Sequence, residues 1–183
     1  MGAGILPTAI YKKKLYFLFG KENCYEKTAP GYSDFGGGTE TGESFLSTAI
    51  REGTEELTGF IGNKTEVRKM LQRGTYNIDF IQKEKKHSTY RMHLFYYPYN
   101  EFLPFYYNNN QRFLQNNLSA EIIKNTRIFE KAEIKWVCVD ELDAIREQFR
   151  PFFRELIDDL IREKVRITQF IQKQTRHKTR KQK

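Results

Sequence analysis

Four carboxylates crowd one short stretch of this 183-residue sequence: Glu43, Glu52, Glu55 and Glu56, the last three within five positions. Like charges so close repel one another. A divalent cation is the simplest partner that makes the arrangement favourable, because hard cations take several oxygen ligands. Just upstream lie Gly36, Gly37 and Gly38, where the missing Cβ lets backbone come close to an ion or a phosphate. On a helix Glu52 and Glu56 stand one turn apart and can hold one ion between them, with Glu55 reaching the same ion or a second. Arg51 and Glu55 are also one turn apart and can pair. The chemistry on offer is that of a metal ion beside a glycine loop, which neutralises anionic charge and activates water.

A helix must carry these acids, and the pattern predicts one starting near Glu43 or Ser44 and ending at Gly59 or Gly62. At ~100° per residue, Leu46, Ala49, Ile50, Gly53 and Leu57 share one face and Glu52, Glu55 and Glu56 another. Gly53 costs roughly 0.5–1 kcal/mol inside a helix, so its place on the apolar face implies a close approach to a sheet. That sheet is sought in the flanks. Residues 3–11 and 15–19 read as a hairpin around Lys12, Lys13 and Lys14, with Pro7 favouring an edge or a bend. Tyr32 to Phe35 makes a short strand running into the glycines. Residues 75–82 and 89–97 form a second hairpin around a charged turn at 83–88. His93 falls opposite Tyr90, Met92, Leu94 and Tyr96, and is read as a surface or hydrogen-bonded residue rather than a substrate contact.

Residues 98–129, rich in Tyr, Phe and Asn, read as an insertion packed on or over the domain and helical around 111–124. Its aromatics are assigned to packing, with stacking on a base as the alternative. A strand at 133–139 holds the only tryptophan, Trp136. Beyond it Ile145, Phe149, Phe152, Phe153, Leu156, Ile157, Leu160 and Ile161 recur at helical spacing, interrupted by Pro151.

Composition narrows the setting. Aromatics make up 15% and hydrophobic residues 39%, enough for a core, and no apolar run approaches the ~20 residues that span a bilayer. Cys24 and Cys138 lack metal spacing and read as reduced thiols of an intracellular protein. The net charge of +8 sits mostly at the end: seven of the residues from 165 to 183 are basic and none is acidic. This segment is expected to be a disordered basic tail, able to touch RNA or another polyanion.

The stretch from Gly37 to Gly59 resembles the signature box of the Nudix hydrolases: Gly37, then Glu43 six residues on, then Arg51-Glu52 after seven more, a small residue (Gly53), and Glu55-Glu56. The end departs, since Thr58 stands where the box has Gly and Gly59 where it has an apolar residue. The resemblance covers 23 residues, and two preceding strands and a following Trp-containing strand and helix agree with it in type. It implies an α/β/α sandwich with a mixed sheet over residues 1–164, and cleavage of a diphosphate linked to another moiety, usually a nucleoside, with Mg²⁺ or Mn²⁺. It further implies that Glu52, Glu55 and Glu56 are the metal ligands, with Glu52 also a candidate base. Arg51 and Glu43 orient them, and Gly36, Gly37 and Gly38 face the ion or phosphate. Members often recruit a further carboxylate from a distant loop as base, and Glu130 and Glu133 are the candidates. Capped RNA and diphosphoinositol polyphosphates are alternative substrates, and a non-catalytic nucleotide- or RNA-binding module is the alternative role.

Overall fold

The computed structural model describes residues 1–24, 30–82, 88–126 and 130–180. Seven strands form one mixed sheet. They are β1 (Gly2–Tyr11), β2 (Lys14–Glu22), β3 (Tyr32–Ser33), β4 (Phe35–Gly38), β5 (Tyr76–Gln82), β6 (Ser88–Tyr96) and β7 (Lys131–Cys138). The helices are α1 (Phe45–Glu56), α2 (Lys64–Gln72), α3 (Phe102–Asn117), α4 (Ala120–Asn125), α5 (Arg154–Arg162) and α6 (Lys164–Arg180). β1 lies at the centre. It runs parallel to β6 on one side, and on the other it pairs antiparallel with β4 through residues 2–5 and with β2 through residues 8–11.

Successive residues of a strand face opposite sides, and β1 is buried on both. Ala3, Ile5 and Ala9 join a core with Leu18, Phe35, Ala49, Ile50, Leu57, Val67, Phe95 and Trp136, beneath α1, α2 and α3. Leu6 joins a second core with Phe17, Phe19, Met92, Leu94, Val137, Leu156, Leu160, Ile167 and Ile171, beneath α5 and α6. The layers are therefore α/β/α, as expected. Both hairpins form, the second as the antiparallel pair β5–β6. Residues 83–87 of its turn lie outside the described residues. The first turns on Lys12 and Lys13, both at positive φ (47° and 66°), the twist a two-residue hairpin needs even without an Asn-Gly pair.

Three expectations are corrected. Pro7 is neither at an edge nor in a bend but inside the central strand. Leu6 and Pro7 fall between the β4-paired and β2-paired segments of β1, the position at which a residue without an N–H costs least. The helix predicted at 111–124 is two helices, α3 beginning nine residues earlier at Phe102 and α4 following Ser119. The tail is not disordered from residue 165, because α6 runs to Arg180 with Ile167 and Ile171 fully buried against the sheet. Ile167 and Ile171, one turn apart, and the half-buried Phe170 between them suffice because the second core is already in place to receive them.

Candidate active site

α1 starts where the sequence indicates. Ser44 caps it, accepting from the Ser47 backbone N–H while the Ser47 hydroxyl accepts from the Ser44 N–H. Its apolar side meets β1 so closely that a Cβ on Gly53 would lie 2.3 Å from Ile5 Cδ1. This contact fixes the height of the helix over the sheet, and with it the position of the acids on the other side. The helix ends at the Leu57 cap. Thr58, the residue that departs from the box, takes the left-handed conformation there, at φ 48°.

Arg51 ties the acids to the glycine loop. Its Nε and Nη2 donate to Glu43 at 2.8 and 2.9 Å, its Nη1 to Glu52 Oε1 at 2.7 Å, and its Nη2 to the Gly38 carbonyl at 3.0 Å. Glu43 also accepts from the Thr48 hydroxyl at 2.9 Å and the Glu40 N–H at 3.0 Å. Arg51 first, then the Glu40 N–H, holds the Glu43 carboxyl down at about 2. Glu43 and Arg51 thus form a hydrogen-bonded pair that reaches both Glu52 and the glycine loop. Gly37 lies against Glu52, where a Cβ would come within 2.5 Å of Oε1.

Carboxylate oxygens of Glu52, Glu56 and Glu130 lie within 4.8 Å of one another. Glu56 is 4% exposed, and its Oε2 has no hydrogen-bond partner among the described residues. Burial pushes its carboxyl well above the usual range, with Lys131 pulling the other way. Its other oxygen lies 3.4 Å from Lys131 Nζ. Tyr107 of α3 donates to the Glu56 carbonyl at 2.7 Å and so anchors the last turn of α1. A buried carboxylate oxygen left open, in an all-oxygen donor set, fits a hard divalent cation. Glu55 is not in that group but borders it, its carboxylate 3.6 Å from the Arg51 Nη1 that also holds Glu52 and 3.8 Å from Lys64.

The two distant candidates separate. Glu130 stands in the group, whereas Glu133 accepts from the Tyr32 hydroxyl and pairs with Lys21 at 3.3 Å. The register explains this. Lys21 of β2 faces Glu133 and Glu22 faces Lys131, a shift of register that sends Lys131 towards α1 and Glu133 away. Glu133 lines a separate cavity of about 290 Å³ with Tyr32, Tyr99, Asn108, Lys135 and Trp136. His93 is buried, not at the surface, and neither ring nitrogen finds a partner among the described residues.

Sequence reasoning missed Glu22, Asp34 and Lys131. Lys131 is fully buried and ion-paired to Glu22, to which Arg150 also donates at 2.6 Å. Asp34, 2% exposed, accepts from the Tyr90 hydroxyl at 2.8 Å. Burial raises its carboxyl to about 7 against the pull of Tyr90, Lys131 and Arg150. A serine and an aspartate just before the glycines were the only sequence signal.

The sequence matches no family profile and no curated protein. Solved structures do overlay on it. A Nudix hydrolase from M. smegmatis, RenU, aligns with a TM-score of 0.55 at 13% identity, over 91% of this chain and 87% of that one. A C. elegans Ap4A hydrolase aligns at 0.48 and 17% identity over 80% and 84%. A mutT/nudix family protein from Listeria innocua aligns at 0.48 and 18% over 92% and 93%. The first overlay, together with the layered mixed sheet, identifies the chain as a protein of the Nudix hydrolase fold.

Proposed function

We propose that this chain is a divalent-metal-dependent pyrophosphohydrolase acting on a nucleoside diphosphate linked to another moiety. The observation that carries the reading is the convergence of Glu52, Glu56 and Glu130 beside the glycine loop, with one buried oxygen of Glu56 left open. Glu52, Glu56 and Glu130 are the proposed ligands of Mg²⁺ or Mn²⁺, and Glu55 lies within a helical turn to extend the set. When bound, the ion neutralises the diphosphate and makes water more acidic. The chain's own residues do the rest. Arg51 holds Glu52 in place and ties it to Gly38. The missing Cβ at Gly37 lets Glu52 pack against the loop, while the space beside Gly38, where a Cβ would meet nothing, is open to a phosphate. Glu130 takes a proton from the attacking water as its oxygen bonds to phosphorus and the anhydride P–O bond breaks. The products are two phosphorylated fragments.

The cavity lined by Tyr32, Tyr99, Trp136 and Glu133 supports a substrate with a planar base. Aromatic faces stack on such a ring and a carboxylate accepts from its N–H groups. A diphosphoinositol would leave the aromatic faces unused. The C-terminal segment packs as α6 on the sheet face opposite α1, a placement that does not favour its gripping capped RNA at the acidic group.

The test is a panel of nucleoside diphosphate compounds, capped RNA and a diphosphoinositol, assayed with Mg²⁺ and with Mn²⁺. The wild type is expected to release phosphorylated products from a nucleoside member, and Glu56→Gln to lose at least 100-fold, about 2.7 kcal/mol of barrier. Equal, slow release by both proteins would sink the reading. Saturable binding without turnover would assign the non-catalytic role.

A further inference from the structure

The ammonium of Lys131 is held as a metal ion would be. It is buried from solvent completely and surrounded by three side-chain oxygens: Glu22 Oε1, Ser33 Oγ at 3.0 Å and Glu56 Oε1 at 3.4 Å. An ammonium has three hydrogens to donate, and this cage offers one oxygen for each. The donors are also those a hard cation takes. They come from three elements, β2, β3 and α1, so the cage is built by the fold and not by the lysine. Arg150 Nη1 braces Glu22 from outside, at 2.6 Å. Glu56 joins the two halves of the site. One of its oxygens faces Lys131, and the other remains open while the same carboxylate belongs to the group with Glu52 and Glu130. A carboxylate shared in this way between neighbouring cation positions is how paired metal ions are commonly bridged.

We propose that Lys131 occupies the second cation position of a two-cation site, so that a permanent ammonium stands where a metal ion would otherwise bind. This rests on the reading of Glu52, Glu56 and Glu130 as a metal site. It assigns Lys131 a positioning role: it keeps the Glu56 carboxylate in place and limits how many ions the site takes up. The arrangement gives up one unit of positive charge relative to a divalent ion. In return it holds the inner side of Glu56 in order with no metal present.

The experiment counts Mn²⁺ bound per chain, by equilibrium dialysis and electron paramagnetic resonance, for the wild type and for Lys131→Ala without substrate. Truncation removes the ammonium and its stem and leaves Glu22, Ser33 and Glu56 facing an opening. The variant is expected to bind one Mn²⁺ more than the wild type. Its melting temperature is expected to rise more steeply with the logarithm of Mn²⁺ concentration, because an extra bound ion adds its own linkage to stability. A folded variant with no additional ion overturns the proposal. So does a variant unfolded both in chelator and in millimolar Mn²⁺, because the cage should accept the ion in place of the ammonium. A variant folded only with Mn²⁺ supports it. Absence of Mn²⁺ binding by the wild type would instead strike the reading of the Glu52–Glu56–Glu130 group, leaving the difference between the two proteins as the separate measure of the lysine's role.

Discussion

Replacing Thr58 by glycine should make the protein more stable. Thr58 follows the helix cap at φ 48°, a conformation that costs an L-residue with a Cβ about 1–2 kcal/mol and is least suited to a β-branched side chain. Its hydroxyl oxygen is buried with no partner among the described residues, a further cost of about 1 kcal/mol or more. Glycine removes both and keeps the backbone contact that closes the helix, in which the Thr58 N–H donates to the Glu55 carbonyl at 3.1 Å. Against this stands the extra freedom glycine gives the unfolded chain, about 0.5–1 kcal/mol. The net gain is about 1–2 kcal/mol, which for a chain of this size raises the melting temperature by roughly 3–6 °C. Scanning calorimetry in chelator measures it without metal linkage. Gly59→Ala is the matching control: its φ is 80° and a Cβ there would meet nothing, so strain alone should lower the melting temperature. If Thr58→Gly melts at or below the wild type, the strain argument is wrong.

Gly53→Ala should lose about 1–2 kcal/mol in thermal or urea melts, because overpacking against Ile5, 2.3 Å from the new Cβ, outweighs the gain in helix propensity; an Ile5→Ala background should erase the loss. His93 titrates at about 4 in the folded chain, lowered by burial and by Arg91 against the pull of Asp79, whereas the unfolded chain takes the proton near 6.5. Its contribution is therefore complete above about pH 7 and shrinks as pH falls towards 4. Stability should drop by about 2 kcal/mol more between pH 7.5 and 5 in the wild type than in His93→Leu, as followed by urea melts across pH. Glu130→Gln should lower kcat by roughly 10²–10⁴ as a lost general base does, while Glu133→Gln should raise KM and leave kcat within a few-fold; steady-state kinetics showing the reverse pattern would move the base to Glu133.

The box was legible because its information is local. Glu52 and Glu56 one turn apart, Gly53 on the buried stripe and Ser44 before it all act within a few turns of one helix, and the structure places each as read. α2 was equally local and was overlooked. Asn63 and Glu66 form a capping box ahead of Val67 and Leu71, a signal obscured by the short helix and its charged residues. Glu22, Asp34 and Lys131 were beyond reach. Glu22 and Lys131 are 109 positions apart, and what joins them is a register shift between β2 and β7 that no run of residues announces. The buried stripe of α6 was underweighted for a related reason. Ile167, Phe170 and Ile171 are too few to fold alone, and their value depends on a core assembled from the whole preceding chain.

The Asn108 side chain of α3 accepts from the Ile134 N–H at 2.7 Å and donates to the Ile134 carbonyl at 3.1 Å. β7 pairs with β2 on its other side, so this single amide imitates the neighbouring strand that β7 lacks. An unsatisfied strand margin invites a second chain to add itself, and from there aggregates grow. The segment that resembles an accessory insertion is in this respect a stopper. A shortened chain without α3 would leave the Ile134 N–H and carbonyl on this margin bare, open to such an added strand.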